Sequence, residues 1–215
     1  MPRIGKEWRI TCDRKVFERC QRDPKFPFIV ALARAVNALN TSHSLIVPSF
    51  KVDTPEIVRN RMNSFFFSSA LLYEGIRLIR KMKKLFANDD AFRNGLLTLI
   101  RDPLAQRVEQ MHLNPARNHA VFHFIPQEFE RAIKAEKPPS CVFVAARGKK
   151  KKALHYSYAD VVAAEMLVGI AADQQGFWVA LEPASRETGV LLIKFADAAE
   201  ELIGDYLKSW GFMKE

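Results

Sequence analysis

The chain is poor in cysteine, in histidine and in long apolar runs, and each shortage removes a class of protein. Its three cysteines, Cys12, Cys20 and Cys141, are odd in number and lack any C-x-x-C spacing. That pattern indicates neither a disulfide framework nor a zinc ribbon, and it fits reduced thiols in a reducing compartment. No run reaches the roughly 18 apolar residues of a membrane-spanning helix, and the opening residues Met1 to Trp8 lack the apolar core of a signal peptide. The expectation is a soluble, cytoplasmic protein with no membrane partner. Internal repeats are absent, and no R-G-F-x-F signature, KH loop or C₂H₂ spacing is present, so specific base readout has no support.

What is there is a chain of 215 residues, 48% hydrophobic, which is enough to bury a core as one domain or as one domain with an appended piece. Lysine and arginine number 33 against 24 acids, giving 33 − 24 = +9, with a pI near 9.6. This balance favours a polyanionic partner such as RNA, DNA or an anionic surface.

Periodicity predicts a mainly α protein. Asp13 to Arg22 fits a short helix, and Pro24 and Pro27 separate it from a core-facing helix over about Phe28 to Leu39, closed by a polar loop holding Ser42, His43, Ser44 and Pro48. Thr54-Pro55 begins the longest periodic segment, which runs to about Phe86. Its apolar face reads Phe67, Leu71, Glu74, Leu78, Met82, Leu85, which sets a carboxylate within an apolar stripe, where it requires a cation or donors. Arg77, Arg80, Lys81, Lys83 and Lys84 read as a solvated basic face complementing the helix dipole. Further helices are expected from Asn88 or Asp89 to Ile100, from Asp102-Pro103 to a break at Leu113, and from Asn114-Pro115 onward.

After Pro138-Pro139 the composition shifts. Residues 141–146 and 153–158 read as a β-hairpin with a basic tip, followed by a helix over Val161 to Ala171. Phe177 to Leu181 and Val190 to Ile193 fit strand or helix equally, and Asp197 to Trp210 is an amphipathic helix. The division expected is a helical bundle over residues 1–138, with residues 139–215 forming the hairpin and a C-terminal α(+β) extension packed on the same domain.

Chemistry concentrates in Pro115 to Phe124. Arg117, Asn118, His119 and His123 fall within seven positions of a chain with five histidines. Arginine holds phosphate with a planar fork of donors, and histidine moves protons near neutral pH. His119 and His123, four apart, also fit a helical metal site, with His112 the nearest third ligand, but the glutamate of H-E-x-x-H is missing. Arg117 and His123 are separated by about 240° on a straight helix. To act together they need a distorted helix or the facing half of a second chain.

Arg117-Asn118 followed by His123 resembles the R-N-x-x-x-x-H signature of the HEPN superfamily (higher eukaryote and prokaryote nucleotide-binding domains). The flanking Leu113 to Ala116 and Phe122 to Pro126, with Leu72-Tyr73-Glu74, look like its abortive-infection branch. The resemblance spans about residues 28 to 165. It implies a helical bundle that dimerises around the motif and, in active members, a metal-independent endoribonuclease needing no cofactor, acting as a toxin or in phage defence, with an antitoxin protein as a further partner. Carried over, Arg117 would hold the scissile phosphate, His123 would act as general acid and base, and Asn118 would position one of them. Glu74 is expected to orient Arg117, which also answers its own need for a cation. Arg147 with Lys149, Lys150, Lys151 and Lys152 would grip an RNA backbone. The alternative is a non-catalytic HEPN dimer that binds nucleotide, RNA or a protein partner.

Overall fold

A computed structural model of the chain describes residues 10–11, 13–46, 55–121, 145–146, 155–156, 162 and 174–214, with side chains described at 13–42, 63–118, 162 and 182–212. The described residues are mainly helical and make six helices. Short carboxylates meet the first orphan amides where several of these helices begin. Asp13 accepts from the Lys15 amide at 2.7 Å and opens α1 (Arg14–Cys20). Asp23 accepts from the Lys25 amide at 2.9 Å, one turn before α2 (Phe26–Ile46). Helix α3 (Pro55–Met82) starts on its proline.

Two helices depart from regular winding. Helix α4 covers residues 92–99, with Phe92–Leu96 wound as π and Leu97–Leu99 as α. Helix α5 covers residues 103–121 and is capped by Asp102, which accepts from the Leu104 amide at 2.8 Å, with Pro103 at the first position. Within it, Pro103–Val108 is α-helical, while Glu109–Leu113 and Ala116–Val121 are π-wound. The expected break at Leu113 is therefore absent, and Asn114-Pro115 lies inside a continuous helix. A proline lacks the amide that an α-turn would use and clashes with the carbonyl four residues back. The widened π-turn just before Pro115 relieves both problems. It also re-registers the buried face, so that Met111 is 56% exposed while His112, Leu113 and Ala116 turn inward.

Helix α6 (Gln174–Ser209) runs unbroken through both segments that fitted strand or helix equally, and Pro183 stands within it. Pro183 is exposed, so water can satisfy the carbonyl it leaves without a donor. Likewise α2 continues to Ile46 through the expected loop, since Ser42 is buried and bonds Ser68 Oγ at 2.7 Å on α3.

Strand pairing among the described residues consists of two-residue antiparallel contacts. Ile10 pairs with Lys214 and Thr11 with Met213, joining the two ends of the chain; Ala145 pairs with Tyr156 and Ala146 with His155. Of the expected hairpin over residues 141–158 only this second pairing is described, and of the helix over Val161 to Ala171 only Val162, which is buried.

The core gathers Leu32, Val36 and Leu39 of α2, Leu72, Ile76, Ile79 and Met82 of α3, Phe92 and Leu96 of α4, Val108 and Leu113 of α5, and Leu191, Phe195 and Leu202 of α6. Helix α3 is central and packs on α2, α5 and α6. Its buried stripe is Phe65, Leu72, Ile76, Ile79, Met82, followed by Phe86, rotated by about one residue, or 100°, from the stripe expected. Phe67 is consequently 50% exposed, and Glu74 stands at the edge of the stripe. No helix among the described residues is long and apolar enough to cross a membrane.

Candidate functional site

Helices α3 and α5 lie antiparallel, and two ion pairs fix their register. At one end Arg80 reaches Glu109 with two parallel N–H···O bonds, a geometry that raises the arginine's already high pKa through the hydrogen bond to the carboxylate. At the other, the Arg117 Nε donates to Glu74 Oε1 at 2.9 Å. The pairs 74/117 and 80/109 step in opposite directions along the two helices, as antiparallel neighbours must.

Around Arg117 the contacts are mutual. Its Nη1 donates to Asn118 Oδ1 at 2.8 Å, and the Asn118 amide nitrogen donates in turn to Asn114 Oδ1. Asn114, one π-turn earlier, thereby fixes the Asn118 amide, which helps fix the guanidinium. Glu74 takes a second cation: the Arg77 Nη1 lies 3.3 Å from its Oε1 and 3.5 Å from its Oε2, and the Arg77 guanidinium stands 6.0 Å over the Tyr73 ring. One carboxylate thus bridges two arginines from different helices. The Arg117 side chain is 27% exposed and that of Glu74 42%, so the cluster sits at the bundle surface, where an anion can reach it. A guanidinium oriented in advance by its neighbours needs little reorganisation to meet a phosphate.

Of the residues singled out in the sequence, Glu74, Arg117 and Asn118 are brought together. His119 belongs to the π-wound Ala116–Val121 segment, but its side chain lies outside the described residues, as do His123, Arg147 and Lys149 to Lys152 in full. His112 is 7% exposed within α5, and among the described residues no three His, Cys, Asp or Glu side chains converge to hold a metal ion. Arg117 and Asn118 themselves lie in the π-wound Ala116–Val121 segment. Sequence reasoning overlooked Arg77 as a second partner of Glu74, although their i, i+3 spacing carried the signal.

A shallow groove of about 360 Å³ between α4 and α6 is lined by Gly95, Thr98, Asp102, Lys194, Asp197 and Glu201. Asp102 is held below the usual carboxylate range by the Leu104 amide and by Lys194, 3.3 Å away. With three carboxylates to one amine, this groove repels phosphate and is separate from the arginine cluster. No protein-family model, curated protein or solved structure matches the chain.

Proposed function

We propose that the chain is a metal-independent endoribonuclease of HEPN type, acting as a toxin or phage-defence component, with a composite site formed where two copies meet around α5. The observation that carries this reading is the fixing of Arg117 by Glu74 and Asn118 within a distorted helix turn. A motif arginine held in this way is suited to a scissile phosphate. His123 takes the proton from the RNA 2′-hydroxyl as that oxygen attacks phosphorus, and a histidinium at the site returns a proton to the departing 5′-oxygen. The products are a 2′,3′-cyclic phosphate and a free 5′-hydroxyl. Arg117 neutralises charge developing on the non-bridging oxygens, and Glu74 acts as its positioning residue.

Purified protein should cleave RNA in EDTA, and Arg117→Ala and His123→Ala should each lower the rate by about 10²-fold or more while circular dichroism shows an unchanged fold. Intact RNA at high protein concentration would sink the catalytic reading. A second reading, the non-catalytic HEPN dimer, draws on the fact that Arg117 Nε and Nη1 already bond within the chain. It is favoured if RNA is bound but left uncut by the wild type.

A further inference from the structure

The C-terminal end of α3 carries more than a helix dipole asks for. Between residues 77 and 84 the end of α3 and the turn that follows it place Arg77, Arg80, Lys81, Lys83 and Lys84. Arg80 is consumed by Glu109. Lys81, Lys83 and Lys84 are exposed and have no acidic partner among the described residues. Lys25 adds a further cation, its amine 5.1 Å over the Phe86 ring, just past the lysines. Uncompensated like charges at adjacent positions repel one another, and a polyanion relieves that repulsion.

The α3 members of this set are aligned. Phe67, Glu74 and Lys81 recur every seven residues, about two helical turns, so they lie along one line of α3, and Arg77 falls between the last two on the same face. Glu74 to Lys81 covers about 10 Å of helix axis. At one end of the line stands a half-exposed aromatic ring, at the centre two arginines sharing one carboxylate, and at the other end three lysines. A cationic track joined to an aromatic platform is the arrangement that holds single-stranded nucleic acid.

We infer that the exposed line of α3 from Phe67 through Arg77 to Lys81, continued by Lys83 and Lys84 in the turn after it, is the track along which a single RNA strand crosses the site, with Arg77 as a second phosphate-holding residue beside Arg117. The inference rests on the ribonuclease reading only for the identity of the strand. An anionic bilayer fits the same surface poorly, because Met82 and Phe86 beside the lysines are buried in the core and not presented outward as an interfacial helix requires. The acidic groove between α4 and α6 takes no part.

The test uses the full chain carrying His123→Ala, so that bound RNA stays intact, and follows fluorescence anisotropy of a labelled single-stranded RNA in EDTA across a salt series. Lys81→Glu, Lys83→Glu and Lys84→Glu together should weaken binding by about tenfold or more and reduce the magnitude of the salt slope by about 2, the value for three lost phosphate contacts on a single strand. Phe67→Ala should weaken the single strand by about tenfold and leave a duplex unchanged. The triple variant's circular dichroism and melting temperature report that it is folded. An unchanged affinity and slope in that folded variant overturns the track. So does a wild type that binds no RNA, or one that binds phosphatidylserine vesicles instead through the same lysines. If RNA is bound through α3 but never cut by the chain with His123 intact, the track stands and the ribonuclease reading falls.

Discussion

Tyr206 shows how much a single side chain settles. It is 5% exposed on α6, its hydroxyl donates to Asp23 Oδ2 at 2.9 Å, and the Cys20 sulfur lies within hydrogen-bonding distance of the same hydroxyl at 3.4 Å. Burial, with the hydrogen bonds to Cys20 and Asp23, raises the phenol pKa well above its ordinary value of 10. A group whose pKa is raised on folding contributes stability that is complete below its unfolded pKa and is lost as pH climbs toward the folded one. Urea unfolding at about pH 8 and about pH 11 should therefore show an alkaline loss of up to about 1.4 kcal/mol per pH unit from this residue. Tyr206→Phe should cost about 1–2 kcal/mol at neutral pH and shrink that loss, because a phenyl ring cannot ionise. An undiminished alkaline loss in Tyr206→Phe would assign it to other groups. None of this was legible in the sequence, where Tyr206 is simply one position of the amphipathic segment from Asp197 to Trp210. The Glu74 and Arg117 contact is a different case. A carboxylate written into an apolar pattern requires a cation, and an arginine within reach is the obvious one, while the sharing of Glu74 with Arg77 follows from their i, i+3 spacing on α3.

At the scale of elements, what could be read was what is decided locally. Asp13 and Asp102-Pro103 start helices because a short carboxylate and a proline suit those backbone positions whatever surrounds them. Asn114-Pro115 carries the same two residue types and starts nothing. There the packing of α5 on α3 keeps the helix going, and two π-turns absorb the proline. The face of α3 was ambiguous for a related reason: apolar residues occupy both the 71, 78, 85 and the 72, 79, 86 registers, and only the neighbours decide between them. Phe195 of α6 is the clearest of those neighbours. A Cβ added to Gly75 would lie 2.7 Å from its ring, whereas Gly204 of α6 has nothing within 4 Å. The two glycines should thus respond with opposite signs. Gly75→Ala forces a fully buried ring to move and should destabilise by about 1–3 kcal/mol, partly offset by better helix propensity. Gly204→Ala should stabilise by about 0.5–1 kcal/mol. Thermal melts of both variants decide the matter, and a shared sign would mean that the approach of α6 to α3 at Phe195 does not govern their packing.

For the whole molecule, the mainly α architecture followed from periodicity, while association with a second copy is a question about surfaces that one chain's sequence scarcely records. The composite-site proposal can nevertheless be made to fail cleanly. Light scattering should return a mass near twice 24.6 kDa, and a mass near one chain counts directly against it. A stronger test exploits symmetry. In a twofold dimer whose sites each take Arg117 from one copy and His123 from the other, a mixed dimer of an Arg117→Ala chain with a His123→Ala chain has one site lacking both groups and one site complete. Neither variant alone has any complete site. Co-expression of the two chains gives mixed dimers as about half of the total, so activity should return to roughly a quarter of the wild-type level. If both residues of a site came from the same copy, every site in the mixture would lack one of them and no activity would return. Restored cleavage from two inactive parents therefore requires the residues to meet across the axis, and persistent silence in a dimer of the right mass would show that α5 does not complete its site that way.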